Sequence, residues 1–319
     1  MTIGRRHFLA LTAASAFAPR FALASGILNI VATTGMIADT ARRIGGAHVT
    51  VNALMGPGVD PHAYRQTRSD ITAMTRADLV LWHGLYLEAQ MEDFLVKLER
   101  RRTSVPVAEA MPRDALISHA DYEGRYDPHV WMVPDLWVNV AREIARVLSE
   151  ARPELAADFV GNLTAFETEL TKLQSYGETV MATVPAQSRV LLTAHDAFGY
   201  FGRAFDMEVI GIQGISTESE AGLNRISTLV DLLVERKIGA AFVESSVSDR
   251  NIRALIEGAA VQDHTVSIGG ELFSDAMGAD GTYESTYIGM IDHNITTIAR
   301  ALGGTVPERG MNGKLAVGS

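Results

Sequence analysis

Cysteine is absent from all 319 residues. Its absence excludes disulfides, thiolate metal sites, cysteine nucleophiles and a lipid carried on a cysteine thiol. Basic residues are in deficit: 28 Lys and Arg stand against 38 Asp and Glu, a net charge of −10. Such a surface disfavours nucleic acid and attracts cations. No apolar run beyond the N-terminus is long enough to span a bilayer, and no H-E-x-x-H or other local metal motif occurs. What is present, 47% hydrophobic and 21% charged residues, is the balance of a folded chain. Its length allows two medium lobes or one large domain.

The N-terminus reads as a targeting segment. Arg5-Arg6 precede an apolar run from Phe8 to Ala18, and Ala22-Leu23-Ala24 forms a small-residue cleavage site before Ser25. "GRRHFL" resembles a twin-arginine export signal, the alternative being an ordinary signal peptide that carries two arginines. Cleavage after Ala24 removes three arginines and no acid, which leaves the mature chain more acidic still. The expectation is a soluble, exported, periplasmic protein without a lipid anchor.

Beyond it, apolar strand-like runs alternate with amphipathic helical segments. "ILNIVATT" (27–34), "VTVNALM" (49–55), "DLVLWHG" (78–84) and "SVPVAEA" read as strands. The helices between them include "GMIADTARRIGG" and "LYLEAQMEDFLVKLERR" (85–101). The pattern returns after residue 186 with strands at "SRVLLTAH", "MEVIGIQG", "KIGAAFVESS" and "HTVSIGG". This order predicts an α/β fold with mostly parallel sheets in two (β/α) lobes, residues 25–151 and 186–319. Between them, 152–185 carries apolar residues at helical spacing from Pro153 to a stop at Pro185. It predicts one rigid linking helix of roughly 50 Å, unbroken at Gly161 or Gly177.

Two turns repeat a tripeptide: Asp60-Pro61-His62 and Asp127-Pro128-His129. Proline restricts the aspartate before it, so each turn presents a histidine on a pre-set frame. His195 also lies just past a strand, and each of the three has an aspartate nearby: Asp60, Asp127 and Asp196. Open α/β sheets bind ligands beyond the carboxyl ends of their strands. Imidazole is the commonest ligand for borderline divalent metals, with its second nitrogen held by a carboxylate or carbonyl. A charged fourth ligand fits Asp275, with Asp280 and Glu244 as rivals. His48, His119, His264 and His293 read as surface or structural histidines, and His83 ends a strand beside Trp82.

Taken together, "GVDPHAYRQTRSD", "DLVLWHGLYLE", "DPHVWM", "LLTAHDAFGYF", "IGIQGISTESEA", "FVESS" and "IGGELFSDAMG" resemble, in order, segments of one family. That family is the TroA/ZnuA-like zinc and manganese substrate-binding proteins of ABC importers. The resemblance implies two lobes on a long helix and one metal in the cleft, bound by His62, His129, His195 and Asp275. His83 is then a supporting residue. The long His- and acid-rich loop of many zinc-type relatives is absent, since "MPRDALISHADYEGRY" holds a single histidine.

Three neutral imidazoles and one carboxylate suit Zn²⁺ better than Mn²⁺, which prefers more oxygen. The expected protein is therefore no enzyme. It is a monomeric carrier of one Zn²⁺ or Mn²⁺ per chain that delivers the ion to a membrane permease and binds no nucleic acid. The alternative is a periplasmic zinc-dependent hydrolase, which needs an open metal position and a base, with Glu244 or Asp196 available for that role.

Overall fold

The computed structural model describes residues 26–100, 103–118 and 124–316. The export segment and His119 lie outside the described residues. Strands β1 (Leu28–Ala32), β2 (Val49–Ala53), β3 (Leu79–Trp82) and β4 (Thr103–Pro106) form one parallel sheet, ordered β2-β1-β3-β4. β1 and β3 lie inside it and are apolar almost throughout, as central strands covered on both faces must be. In the second half, β5 (Val190–Thr193) pairs in parallel with β6 (Glu208–Gly211), and β7 (Ala240–Glu244) with β8 (Ser267–Leu272). β5 runs alongside β7, so the spatial order β6-β5-β7-β8 mirrors that of the first sheet.

Helices α1 (Gly35–Gly45), α2 (Arg68–Arg76), α3 (Glu92–Leu98) and α4 (Pro134–Ala151) accompany the first sheet. Two of them start where local chemistry says they should. Thr67 and Asp70 close a reciprocal capping box on α2, and Pro134 opens α4 where a missing N–H costs nothing. α3 is shorter than the sequence pattern predicts, because 85–91 is a turn. Leu85 and Tyr86 there take φ of 53° and 68°. Glu88 fixes this turn by folding back to accept the backbone N–H groups of His83 (2.7 Å) and Gly84 (3.2 Å) and the Thr33 hydroxyl (2.6 Å).

α5 (Ala156–Met181) is one unbroken helix of 26 residues, about 39 Å long. It is shorter than expected because both ends close early. Pro153–Leu155 is a separate 3₁₀ turn, and Arg189 donates to the carbonyls of Met181 (2.9 Å) and Val184 (3.3 Å) past the last turn. Neither glycine breaks it. At Gly177 a Cβ would sit 2.8 Å from Phe205, so this glycine lets the neighbouring helix approach.

α5 packs on α1 and α4 from the first half and on α9 (Tyr287–Ala301) from the second. Helices α6 (Gly199–Phe205), α7 (Leu223–Arg236) and α8 (Arg250–Val261) complete the second half. One apolar core runs through both halves and includes Trp131, Trp137, Phe159, Phe166 and Tyr287. Trp137 and Tyr287 stack at 5.3 Å, and the Tyr287 hydroxyl donates to the Trp131 carbonyl at 2.8 Å. Each such fully buried side chain contributes roughly 2 kcal/mol or more of transfer free energy. Among the described residues no helix is long and apolar enough to cross a membrane.

Candidate metal centre

Most of the chemistry-bearing residues lie at or just beyond the carboxyl ends of strands. His62 follows β2, His83 follows β3, His129 precedes α4, His195 follows β5, Glu244 ends β7 and Asp275 follows β8. The two Asp-Pro-His turns have one geometry. In each, the aspartate Oδ1 accepts the histidine's backbone N–H at 2.9 Å. This is the side-chain turn that Asp-Pro favours, and it fixes where the imidazole points.

His62, His129, His195 and Asp275 converge, with one ligand atom of each lying within 4.8 Å of the others. All four are buried. The Nε2 atoms of His62 and His129 are 3.3 Å apart. Asp275 offers Oδ1 to His129 Nε2 at 3.4 Å and Oδ2 to His195 Nε2 at 3.2 Å. An ion ~2.0–2.1 Å from two donors at the tetrahedral angle holds them about 3.3 Å apart. The three spacings are of that size, with the two Asp275 oxygens facing different imidazoles. Among the described residues, neither His195 Nε2 nor Asp275 Oδ1 makes an aligned hydrogen bond. Buried polar atoms left in that state are donors for something else.

The ring nitrogens behind the site are held by carboxylates. His129 Nδ1–H donates to Asp127 Oδ1 at 2.7 Å, and His195 Nδ1–H to Glu244 Oε2 at 2.5 Å. Each bond turns Nε2 toward the centre. Glu244 also accepts the His195 backbone N–H on Oε1 at 2.9 Å. Asp196, the neighbour in sequence, makes no hydrogen bond to that ring among the described residues. Glu244, at first a rival ligand, thus supports His195 instead. Only its place as the charged last residue of an apolar strand hinted at this. Asp280 is exposed and outside the cluster, although it lines a cavity of about 250 Å³ that reaches Asp275. His83 is buried, and its Nε2–H donates to the Pro128 carbonyl at 2.7 Å, inside the second Asp-Pro-His turn. His264 and His293 donate to the carbonyls of Ile238 and Glu271, and His48 pairs with Asp158, as structural histidines do.

Electrostatics divide the cluster. Burial drives the His62 pKa down to about 3, so its imidazole is neutral. Burial also opposes charge on His129, but Asp127 and Asp275 outweigh it and lift the pKa to about 9. His195 is raised well above its usual value against the same burial, by Asp275 and Glu244. Asp275 is held well below the carboxylate range despite burial, chiefly by His195 and His129. Without metal the centre is a proton-loaded charge cluster, and a divalent cation takes the place of those protons.

Both oxygens of Glu244 are engaged by His195. Four buried, convergent protein ligand atoms suit the binding of a bare cation, and the hydrolase alternative finds no support. Comparison with known proteins gives the family. The family model described as "Zinc-uptake complex component A periplasmic" (ZnuA) matches residues 30–301, and the chain belongs to this family. It is 49% identical over 276 residues to the manganese-binding lipoprotein MntA of Bacillus subtilis, covering 86% of this chain and 90% of MntA. It is 43% identical over 287 residues to the zinc-binding protein TroA of Treponema pallidum, covering 90% of this chain and 92% of TroA. The solved structure of that periplasmic TroA superposes with a TM-score of 0.85, over 87% of this chain and 99% of TroA. The family consists of substrate-binding components of metal transport, not enzymes.

Proposed function

We propose that this protein captures one divalent transition metal between His62, His129, His195 and Asp275 and hands it to the permease of an ABC importer. The observation that carries this reading is the set of 3.2–3.4 Å spacings among buried, convergent donors. Zinc is the favoured ion. Relatives named for manganese and for zinc are similarly close, so the choice rests on chemistry. Three imidazoles and one carboxylate bind zinc more tightly than manganese by the Irving–Williams order. Residues 25–151 and 186–319 act as two lobes braced by 152–185, and the ion pins them together.

The remaining proposals concern the setting. The protein is exported by its first 24 residues and works as a monomer in the periplasm. Metal analysis of the protein isolated from its native compartment should give one ion per chain. Competition at matched free-metal concentrations should leave zinc bound, and manganese winning outright would overturn the preference.

A further inference from the structure

The three imidazoles are not held alike. His129 and His195 each have a carboxylate on Nδ1. Among the described residues, none holds the His62 ring in that way. His62 instead borders a cavity of about 330 Å³ between the two halves, lined also by Tyr86, Tyr126, Ile215 and Glu218. A ring that swings away from the centre has room there.

The frames behind the rings differ as well. The second half braces the His129 turn through buried groups. The Tyr200 hydroxyl donates to the Asp127 carbonyl at 2.7 Å, and the Trp131 indole N–H to the Ser274 carbonyl at 2.7 Å. His83 adds its bond to Pro128 from the first half. The His62 turn has a thinner brace. The Thr217 hydroxyl donates to Asp60 Oδ2 at 2.5 Å, while Asp60 Oδ1 accepts the His62 backbone N–H. Thr217 belongs to the segment between β6 and α7, whose Ile215, Ser216, Glu218 and Ser219 wall the His62 cavity. Glu218 in turn reaches Gln90 of the first half. A half-buried bond at a cleft edge opens at lower cost than bonds inside a core.

We propose that Thr217 is a positioning residue for metal retention. Through Asp60 it holds His62 in the donor set. The inference rests on the metal-binding reading above. Loss of the Thr217 bond loosens the first Asp-Pro-His turn and the hold on His62. The second turn stays fixed because its braces lie in the core.

The test is zinc release into excess chelator, followed by stopped-flow, for wild type, Thr217→Val, Thr217→Ser, Asp60→Ala and the Asp60→Ala/Thr217→Val double variant. Valine keeps the branched shape and removes only the hydroxyl. Thr217→Val should release zinc about tenfold faster, the worth of one hydrogen bond to a charged group. Thr217→Ser should stay within about twofold of wild type by the same measure. Thr217→Val should add nothing in the Asp60→Ala background. An unchanged release rate in Thr217→Val overturns the proposal, as does an undiminished effect of that change beside Asp60→Ala. So does a drop in metal-free Tm with release unaltered. A wild-type protein that fails to hold zinc at all overturns the binding reading itself, and that failure is visible before any variant is compared.

Discussion

Glu244 grips His195 twice, with Oε2 on the ring N–H at 2.5 Å and Oε1 on the backbone N–H at 2.9 Å. The two residues stand 49 positions apart, at the ends of strands that lie side by side. One carboxylate thus fixes the ring's rotation and tautomer and adds negative charge behind a site destined for a dication. Glu244→Gln keeps the shape and loses the charge. Metal affinity should fall about 10- to 100-fold, the usual cost of losing such a partner. Competition against a chelator of known affinity measures it, and an unchanged affinity would show that the pair only supports the fold.

Asp275 and Asp280 make a sharper contrast, because sequence reading left both open. Asp275 is buried with two oxygens turned to two imidazoles, and Asp280 is exposed. Asp275→Asn removes the only negative charge among the four donors and leaves a neutral amide there. Stoichiometric zinc binding should be lost. Asp280→Asn should bind as wild type does. Elemental analysis after gel filtration reads both, and the opposite pattern would move the fourth ligand to Asp280.

Protons compete with the metal, and the sign is fixed by the raised histidines. His129, at about 9, and His195, higher than its ordinary 6.5, are protonated in the metal-free protein at neutral pH. Each sheds one proton to bind the ion, whereas His62 is already neutral. Apparent zinc affinity should therefore rise with pH from 6 to about 9, by up to about tenfold per proton per unit. Calorimetry in buffers of different ionisation enthalpy should detect the released protons. The stability of the metal-free protein moves the other way. The contribution of His129 is full below 6.5, its unfolded value, and is lost as pH climbs through about 9. Saturating zinc should abolish that loss in thermal melts.

Much of this architecture was legible in the chain because it is carried by local pattern. Eight apolar runs became eight strands, and the four nominated donors met because strand ends of parallel sheets share one side. What stayed hidden is carried by pairs distant in sequence. Trp131 finds Ser274 across 143 residues, Tyr200 finds Asp127 across 73, and no spacing rule announces either. The helix expected from residue 85 failed for a related reason. Its apolar spacing was adequate, but Leu85 and Tyr86 take positive φ and the Leu85 N–H donates to Glu109, 24 residues on, at 3.1 Å. Asp196 misled because nearness in sequence stood in for nearness in space.

The two glycines of α5 separate helix propensity from packing. Alanine gains up to about 1 kcal/mol over glycine inside a helix. At Gly161 a Cβ meets nothing within 4 Å, so Gly161→Ala should collect that gain. At Gly177 the same atom lies 2.8 Å from the Phe205 ring and 3.0 Å from Ile295. Overpacking costs about 1–3 kcal/mol, which exceeds the propensity term. Gly177→Ala should therefore destabilise while Gly161→Ala stabilises, as urea unfolding would show. Phe205 and Ile295 belong to α6 and α9 of the second half, so the strain at Gly177 falls on the seam between the long helix and that half. If both substitutions stabilise equally, the close approach of α5 to those helices is wrong.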